Sequence, residues 1–192
     1  MKKKDTKVIF LKGQRCALRP LVKDDITKRY LSWLNDEEVN QYMETGTFPT
    51  TFGELRNFYN KFSKSKTDII FAILDKRKGL HIGNIKLGGI NWIHRFADLG
   101  IMIGDKGYWG RGYGQEACRL ILEYAFGRLN LNKVILGVYS THETAISMYK
   151  KAGFRIEGRI RRQISFKGRY IDRLIMGIGK DEFARTERWT KR

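Results

Sequence analysis

The stretch Asp105–Phe126, "DKGYWGRGYGQEACRLILEYAF", places four glycines within eight residues directly before a helical pattern. The apolar residues that follow recur at helical spacing and predict an amphipathic helix. Glycine tolerates positive φ and leaves the peptide N–H groups uncovered. A loop of this kind before a helix N-terminus is suited to hold an anionic group. The stretch therefore predicts a strand–loop–helix unit that holds a pyrophosphate, although a plain turn before a helix is the simpler alternative.

Two other glycine motifs are alternatives to this interpretation. A Walker A loop is excluded because the chain contains no G-x-x-x-x-G-K-[ST]. Gly112, Gly114 and Ala117 fit G-x-G-x-x-[G/A], which binds dinucleotides when an acidic residue follows the next strand. That strand ends at Tyr139 and Ser140 without an acid, and the strands before the loop are predicted to be antiparallel. A dinucleotide site is therefore not favoured.

The rest of the chain alternates between two hydrophobic periods. Helical spacing comes first and β-like runs follow it. The helical segments are "DITKRYLSWLNDEEVNQYM" and "TTFGELRNFYNKF", and the β-like runs are "DIIFAIL", "HIGNIKLGGINW" and "ADLGIMIG". These runs predict an antiparallel meander that leads into the glycine-rich loop.

Three further elements are predicted after that loop and its helix. "KVILGVY" is a short apolar run typical of a buried strand. In "STHETAISMYKKAGF", Ser140 and Glu143 have capping-box spacing, and Gly153 suits the position just past the helix end. Two strands joined by a turn around 167–169 are expected to end the fold. This order predicts a single domain of the α/β (α+β) class.

Composition restricts the class of protein. A length of 192 residues fits one domain, predicted here as 1–192. Cys16 and Cys118 have no metal or redox spacing, so no metal site is expected. No apolar run approaches the roughly 18 residues that a membrane span requires, and the N-terminal apolar stretch is too short for a signal peptide. These features predict a cytoplasmic protein without a membrane partner.

The net charge of +18 indicates affinity for anionic ligands. Nucleic acid, a membrane surface and a phosphorylated small molecule all carry the required charge, and a merely solubilising surface is the alternative. No helix-turn-helix, zinc-finger or basic-zipper pattern accompanies the charge, so nucleic acid is not the expected partner.

At the level of motifs, "GRGYGQEA" followed by "KVILGVY" and "ETAISMYKKAGF" resembles the GNAT superfamily of acyl-CoA N-acetyltransferases. The resemblance covers about residues 14–180 and leaves short basic tails. It is closest to the RimJ/RimL-type branch, which shares "GYWGRGYG"-like loops and a "GRY.D...MGI"-like ending. It implies a central mixed, mainly antiparallel twisted sheet flanked by helices. It also implies acetyl-CoA as co-substrate.

The resemblance also implies roles for individual residues. The strand 100–103 would pair with pantetheine, the loop 109–114 would bind the pyrophosphate, and His142 replaces the Asn of the family pattern. The residues expected to contact the cofactor are Gly100, Ile101, Met102, Ile103, Trp109, Gly110, Arg111, Gly112, Tyr113, Gly114 and His142.

Two catalytic residues are predicted. The resemblance implies that Tyr149 is the general acid for the leaving thiolate, and a core aromatic is the alternative for it. Asp98 is the expected base, direct or through water, since a carboxylate among apolar neighbours has a raised pKa. A surface acid is the alternative for Asp98, and His94 is a weaker candidate. The glutamates at 37, 38 and 44 are a solvated helix face or a contact for a cationic acceptor.

The acceptor is predicted to be a small-molecule amine. "YLSWLNDEEVNQYMETGTFPT" resembles acetyltransferases that act on nucleotide-linked amino sugars, and the positive charge suits such a substrate. Spermidine and other polyamines are one alternative, and the α-amino group of a ribosomal protein is another. A non-catalytic module that binds acyl-CoA or polyanions is the alternative outside enzymes. Apolar C-terminal strands suggest a homodimer.

Overall fold

An eight-stranded sheet forms the centre of the structure, a computed structural model that describes residues 8–190 and only the backbone of 186–190. Its strands are β1 (Leu11–Lys12), β2 (Cys16–Pro20), β3 (Ile69–Asp75), β4 (Leu80–Asn91), β5 (Phe96–Ile103), β6 (Lys133–Tyr139), β7 (Arg155–Phe166) and β8 (Arg169–Gly179). Residues 1–7 and 191–192, part of the predicted tails, lie outside the described residues. The predicted domain bounds of 1–192 and 14–180 stay predictions.

Helices cover both faces of this sheet. They are α1 (Lys28–Leu34), α2 (Glu37–Asn40), α3 (Phe52–Ser63), α4 (Tyr113–Gly127), α5 (Glu143–Lys151) and α6 (Lys180–Thr190). The larger apolar core lies between the sheet and α4, α5 and α6. A smaller core lies under α1 and α3 on the opposite face. This layered arrangement confirms the predicted α/β class.

The strand order is β1-β2-β3-β4-β5-β6-β8-β7. Strands β5 and β6 run parallel, whereas the other neighbouring pairs in the described chain are antiparallel. The mixed, mainly antiparallel sheet and the β3-β4-β5 meander are therefore confirmed.

The junction between β5 and β6 positions the site. Their pairing is limited to Phe96–Lys133, Ala97–Val134 and Asp98–Ile135. Both strands continue beyond these pairs without further pairing to each other. The sheet therefore opens into a gap after Asp98, bounded by the second halves of the two strands.

The two helix ends predicted for α5 had different outcomes. The Ser140–Glu143 capping box is wrong, because the N-cap is His142 and its side chain makes no capping hydrogen bond. The N–H of Ser140 instead donates to the carbonyl oxygen of Asp172 at 3.0 Å, so this residue still continues the line of the sheet. Gly153 has φ of 100°, which confirms its predicted position past the helix end. The turn at 167–169 is confirmed too.

Candidate active site

A single cavity of about 1330 Å³ passes through the gap between β5 and β6. One part, the loop half, is lined by residues 108–110 and 112–115 around the start of α4, by β6 and by α5. The other part, the helical half, is lined by α1, α2, α3 and the neighbouring faces of β3 and β4. Its size is sufficient for two small molecules that meet at the gap.

The start of α4 presents free backbone donors to the loop half. Gly112 is the N-cap, with φ of 81° and no side-chain cap. The first hydrogen bond of the helix runs from the N–H of Glu116 to the carbonyl oxygen of Gly112 at 3.0 Å. The N–H groups of Tyr113, Gly114 and Gln115 find no partner among the described residues. These donors and the helix dipole form a site suited to an anion.

Side chains hold the glycine-rich loop in place. The hydroxyls of Tyr108 and Tyr113 donate to the two carboxylate oxygens of Asp75, at 3.3 Å and 2.9 Å. The indole Nε1 of Trp109 donates to the carbonyl oxygen of Ile103 at 2.7 Å. Tyr113 and Trp109, predicted as cofactor contacts, therefore also fix the loop to β3 and β5. Sequence analysis missed Asp75 because it lies far away in the chain.

Two arginines lie beside this loop. Arg111, a predicted cofactor contact, is exposed and does not line the cavity. Arg15 follows β1, and its guanidinium lies 3.7 Å from the position that a Cβ at Gly112 would occupy. The sequence offered no signal for Arg15, since no local motif connects it to the loop.

The strand segment predicted to contact pantetheine borders the gap. Residues 100–103 of β5 line the cavity together with Leu99. On one side they pair with β4, and toward β6 the pairing has already ended at Asp98. An extended ligand in the gap therefore has strand backbone beside it.

Tyr149 of α5 lies at the gap. The residue is 7% exposed and lines the cavity, and its ring packs edge-on against Phe154 at 5.8 Å. Its hydroxyl makes no hydrogen bond to any residue that the structure describes. Burial raises its pKa, with smaller contributions from Cys118 and Asp98. Tyr149 therefore stays protonated at neutral pH and has a proton to donate.

Asp98 occupies the last paired position before the gap. Its side chain is exposed and does not line the cavity, although the surrounding atoms partly remove it from water. This desolvation raises the pKa of the carboxyl, and the cations of Lys86 and Arg173 oppose the increase. The direction of the pKa shift is the predicted one, and the carboxyl lies outside the lining of the cavity.

An aromatic group surrounds His142 at the end of the gap. The imidazole stacks on the ring of Tyr42 at 3.9 Å, and Tyr42 also contacts Tyr139 and Phe166. Burial lowers the pKa of His142. Its Nδ1 lies 3.2 Å from the hydroxyl of Thr144. His142 lines the cavity, as a cofactor contact would.

The charges in the helical half differ from those of the whole chain. Glu38 and Glu54 line this part, together with Lys86. The carboxylate of Glu38 is 2.7 Å from Nζ of Lys106, and that of Glu54 accepts from the N–H and hydroxyl of Thr51. The local balance is therefore mixed despite the net charge of +18.

The other predicted acids and the alternative base are distributed around the cavity. Glu37 lies in a shallow second pocket beside Lys167. Glu44 is close enough to Tyr139 to raise the pKa of that phenol, after the larger effect of burial. His94 is exposed in the turn between β4 and β5, outside the lining of the cavity.

The family model of the acetyltransferase (GNAT) domain matches residues 15–155. This range covers most of the chain, which therefore belongs to the GNAT acetyltransferases. Together with the relatives below, this membership makes the protein an acetyl-CoA-dependent N-acetyltransferase.

Several relatives are spermidine acetyltransferases. The spermidine N(1)-acetyltransferase of Escherichia coli (strain K12) is 32% identical over 167 residues, 86% of this chain and 87% of that protein. The enzyme of Vibrio cholerae is 32% identical over 161 residues, 83% of this chain and 90% of that protein. The crystal structure of the Vibrio cholerae enzyme with CoA and spermine has a TM-score of 0.82 and 28% identity, covering 90% of this chain and 99% of that chain. These relatives do not support the resemblance to RimJ/RimL or amino-sugar acetyltransferases.

The residues present fit acetyl-CoA. The free N–H groups at the start of α4 suit a pyrophosphate, and the gap beside 100–103 suits an extended pantetheine chain. Within residues 8–185, no group of three His, Cys, Asp or Glu side chains is placed to hold a metal ion. None of the helices in the described part of the chain is long and apolar enough to cross a membrane.

Proposed function

We propose that this protein transfers an acetyl group directly to a primary amine of a small aliphatic molecule, and that polyamines are the first acceptor class to test. The observation that carries the proposal is one continuous cavity. It connects the free N–H groups at the start of α4 to the helical half through the gap that Tyr149 borders. The loop half then holds the cofactor, and the helical half holds the amine.

Bound acetyl-CoA supplies the acetyl group as a thioester. The N–H groups of 113–115 hold its pyrophosphate, with Arg15 and Arg111 as nearby cations. As the amine nitrogen bonds to the carbonyl carbon and the C–S bond breaks, Tyr149 gives its proton to the departing sulfur. Asp98 accepts the proton released by the amine. Because its carboxylate does not line the cavity, we assign this transfer to an intervening water.

Two observations support a polyamine acceptor. The relatives with 32% identity are spermidine acetyltransferases and align over most of both chains. In addition, Glu38 and Glu54 line the helical half, where a cationic chain would extend. The excess of positive charge over the whole chain therefore does not describe the cavity.

A nucleotide-linked amino sugar is the second candidate. Lys86 lines the same half of the cavity, and its ammonium group favours an acceptor with oxygen or negative charge. The net charge of +18 would also attract a nucleotide. The two candidates differ in charge, which makes them easy to separate experimentally.

The test is release of the CoA thiol from acetyl-CoA with a panel of amines. The panel contains spermidine, spermine, nucleotide-linked amino sugars and a peptide with the N-terminus of a ribosomal protein. Turnover of at least one small-molecule amine supports the proposal. If only the peptide is acetylated, the acceptor assignment is wrong. If acetyl-CoA fails to raise the Tm and no amine is turned over, the enzyme assignment to this cavity fails.

A homodimer is proposed from the free edge of the sheet. Strand β7 ends the strand order and exposes Ile156 and Ile160, at 46% and 42%. Such an edge favours pairing with a second copy. Light scattering should give twice the mass of 22.5 kDa, and a monomer at micromolar concentration would contradict the proposal.

A further inference from the structure

Two adjacent turns place cations beside the start of α4. One turn, residues 13–15, connects β1 to β2, and the other, residues 76–79, connects β3 to β4. Pairing of β2 with β3 sets the two turns side by side, and the N–H of Lys76 donates to the carbonyl oxygen of Arg15 at 2.9 Å. The two turns contain no acid and carry four cations, which are named here the turn cation group: Arg15, Lys76, Arg77 and Lys78.

Glu116 holds the first of these turns against α4. Its carboxylate accepts hydrogen bonds from the N–H of Arg15, at 3.0 Å and 3.1 Å, and from the N–H of Gln14. The approach is so close that a Cβ at Gly13 would collide with this carboxylate. The guanidinium of Arg15 is thereby brought to 3.7 Å from the position of a Cβ at Gly112, next to the free N–H groups of the helix.

The neighbouring acids leave the charge of this group largely uncompensated. Asp75 accepts from two tyrosine hydroxyls of the loop, and Glu116 accepts from backbone N–H groups. The guanidinium groups of Arg15 and Arg77 make no hydrogen bond or ion pair with the part of the chain that the structure describes. Nζ of Lys76 donates to one backbone carbonyl at 3.0 Å, which leaves it two hydrogens. The group therefore attracts an anion that reaches the start of α4.

Acetyl-CoA carries such an anion in addition to its pyrophosphate. A third phosphate, a monoester, is attached to the 3′ oxygen of its ribose. The N–H groups of 113–115 suit the pyrophosphate and leave the 3′-phosphate without a partner there. Arginine matches a phosphate with two parallel N–H donors, and such charged hydrogen bonds are stronger than neutral ones. The turn cation group supplies two arginines for this purpose at the same end of α4.

We infer that the turn cation group binds the 3′-phosphate of acetyl-CoA, with Arg15 and Arg77 as its main contacts, and so selects CoA thioesters over thioesters without this phosphate. The inference rests on the proposed function, which places the cofactor in the loop half of the cavity. It concerns the acetyl donor, and it is compatible with a polyamine acceptor in the helical half.

The experiment measures Kd by calorimetry for acetyl-CoA and for 3′-dephospho-acetyl-CoA, which differ by this one phosphate. Wild type should bind the dephospho form about 10-fold more weakly, since hydrogen bonds between charged groups contribute about this factor. Arg15→Gln and Arg77→Gln should each raise Kd for acetyl-CoA alone, and the double variant should bring the ratio of the two Kd values close to 1. Arg95→Gln changes an exposed arginine in the turn at the other end of β4 and should keep the wild-type ratio.

Two results would overturn the inference. Equal Kd values of wild type for the two compounds would show that the 3′-phosphate has no site here. A loss of affinity by the same factor for both compounds in the arginine variants would place these side chains at the pyrophosphate instead. Unchanged urea midpoints without ligand show that the variants, which alter exposed side chains, are folded.

Failure of the proposed function gives a different result. If no amine is turned over but the Kd ratio responds to the arginine variants as expected, the acceptor assignment fails and the 3′-phosphate site stands. If acetyl-CoA does not bind to wild type at all, both proposals are wrong.

Discussion

The indole of Trp109 donates a hydrogen bond to the carbonyl oxygen of Ile103 across 2.7 Å and so joins the glycine-rich loop to the end of β5. The loop is predicted to bind the pyrophosphate and the strand to pair with pantetheine. One side chain therefore sets the spacing between these two parts of the predicted cofactor site.

Trp109→Phe should weaken acetyl-CoA binding while leaving the fold intact. The ring is 38% exposed, so the change mainly removes the hydrogen bond to Ile103. Loss of one such bond corresponds to about 1 kcal/mol, or about 5-fold in Kd. Calorimetric titration with acetyl-CoA measures the change, and an unaltered Kd would show that the loop does not need this connection.

Tyr149→Phe should lower kcat by about 100-fold without lowering Tm. The hydroxyl has no hydrogen-bond partner within the described residues, so its removal leaves no group unpaired. Loss of a general acid costs about this factor or more. The exposed Tyr170→Phe is the control for removing a phenol hydroxyl. A Tyr149→Phe enzyme with the wild-type kcat would exclude this residue as the acid.

Asp98→Asn should change the pH dependence of kcat/KM. Partial burial raises the pKa of Asp98, and Lys86 and Arg173 only partly oppose it. The active, ionised base therefore forms at higher pH than an ordinary aspartate, and activity should fall as pH decreases through that raised pKa. Asparagine removes this acidic limb and lowers the rate at neutral pH. If the variant keeps the wild-type profile, another group is the base.

Gly112→Ala should destabilise the start of α4 and weaken cofactor binding. Its φ of 81° is unfavourable for alanine by about 1–2 kcal/mol. Relief of that strain would rotate the free N–H groups of the first turn. Gly127→Ala, at the other end of α4 with open space around it, is the control and should not weaken binding. Equal rises in Tm with acetyl-CoA for both variants would contradict the role of the loop.

Asp25→Asn should destabilise the protein by about 3–5 kcal/mol, because it leaves the charge of Arg19 buried without its counterion. The ion pair measures 2.6 Å, and each side chain is 3% exposed. Burial raises the pKa of Asp25. Hydrogen bonds from Arg19 and the Val22 N–H, together with the charge of Arg19, lower it by more, so the net shift of the pKa is downward.

Because the pKa of Asp25 is lower in the folded protein than in the unfolded chain, its ionised form stabilises the fold at pH values above the unfolded pKa of about 4. This stabilisation is lost as the pH falls through the lower pKa of the folded state. Urea unfolding between pH 3 and 7 should therefore show wild type losing its advantage over Asp25→Asn at the acidic end. The apolar double variant Arg19→Met with Asp25→Leu should regain most of the stability. A single variant as stable as wild type at pH 7 would contradict the importance of the pair.

Local patterns predicted most of the fold. The glycine-rich loop, the helix after it and the turn at 167–169 were predictable from the sequence. Positive φ favours glycine, and a helix requires apolar residues at helical spacing. The Ser140–Glu143 capping box failed because β6 and β8 hold Ser140 in line with the sheet. The hydrogen bond from Ser140 to Asp172, which is distant in the chain, therefore outweighed the local preference of serine for a helix N-cap.

Residues joined only by the fold were not predictable in this way. Asp75 receives two tyrosine hydroxyls from the loop, and Arg15 lies beside Gly112, yet neither belongs to a local motif. Asn84 reads as an ordinary polar residue in a strand until the sheet shows that its amide is buried beside a cavity. Tyr149 and Asp98 remain predictions for the variants above.

The short junction between β5 and β6 has a mechanical consequence. Among the described residues, β5 and β6 share three register pairs, and this short ladder connects strands β1–β5 to β6, β7 and β8 within the sheet. A ligand whose amides form hydrogen bonds with the unpaired strand edges beyond Asp98 would bridge β5 and β6 there. The two parts of the sheet, β1–β5 and β6–β8, would then be connected along more of their length. Binding of the co-substrate should then slow amide hydrogen exchange in β6 as well as in β5. The co-substrate would thus stabilise the sheet of the enzyme until the reaction consumes it.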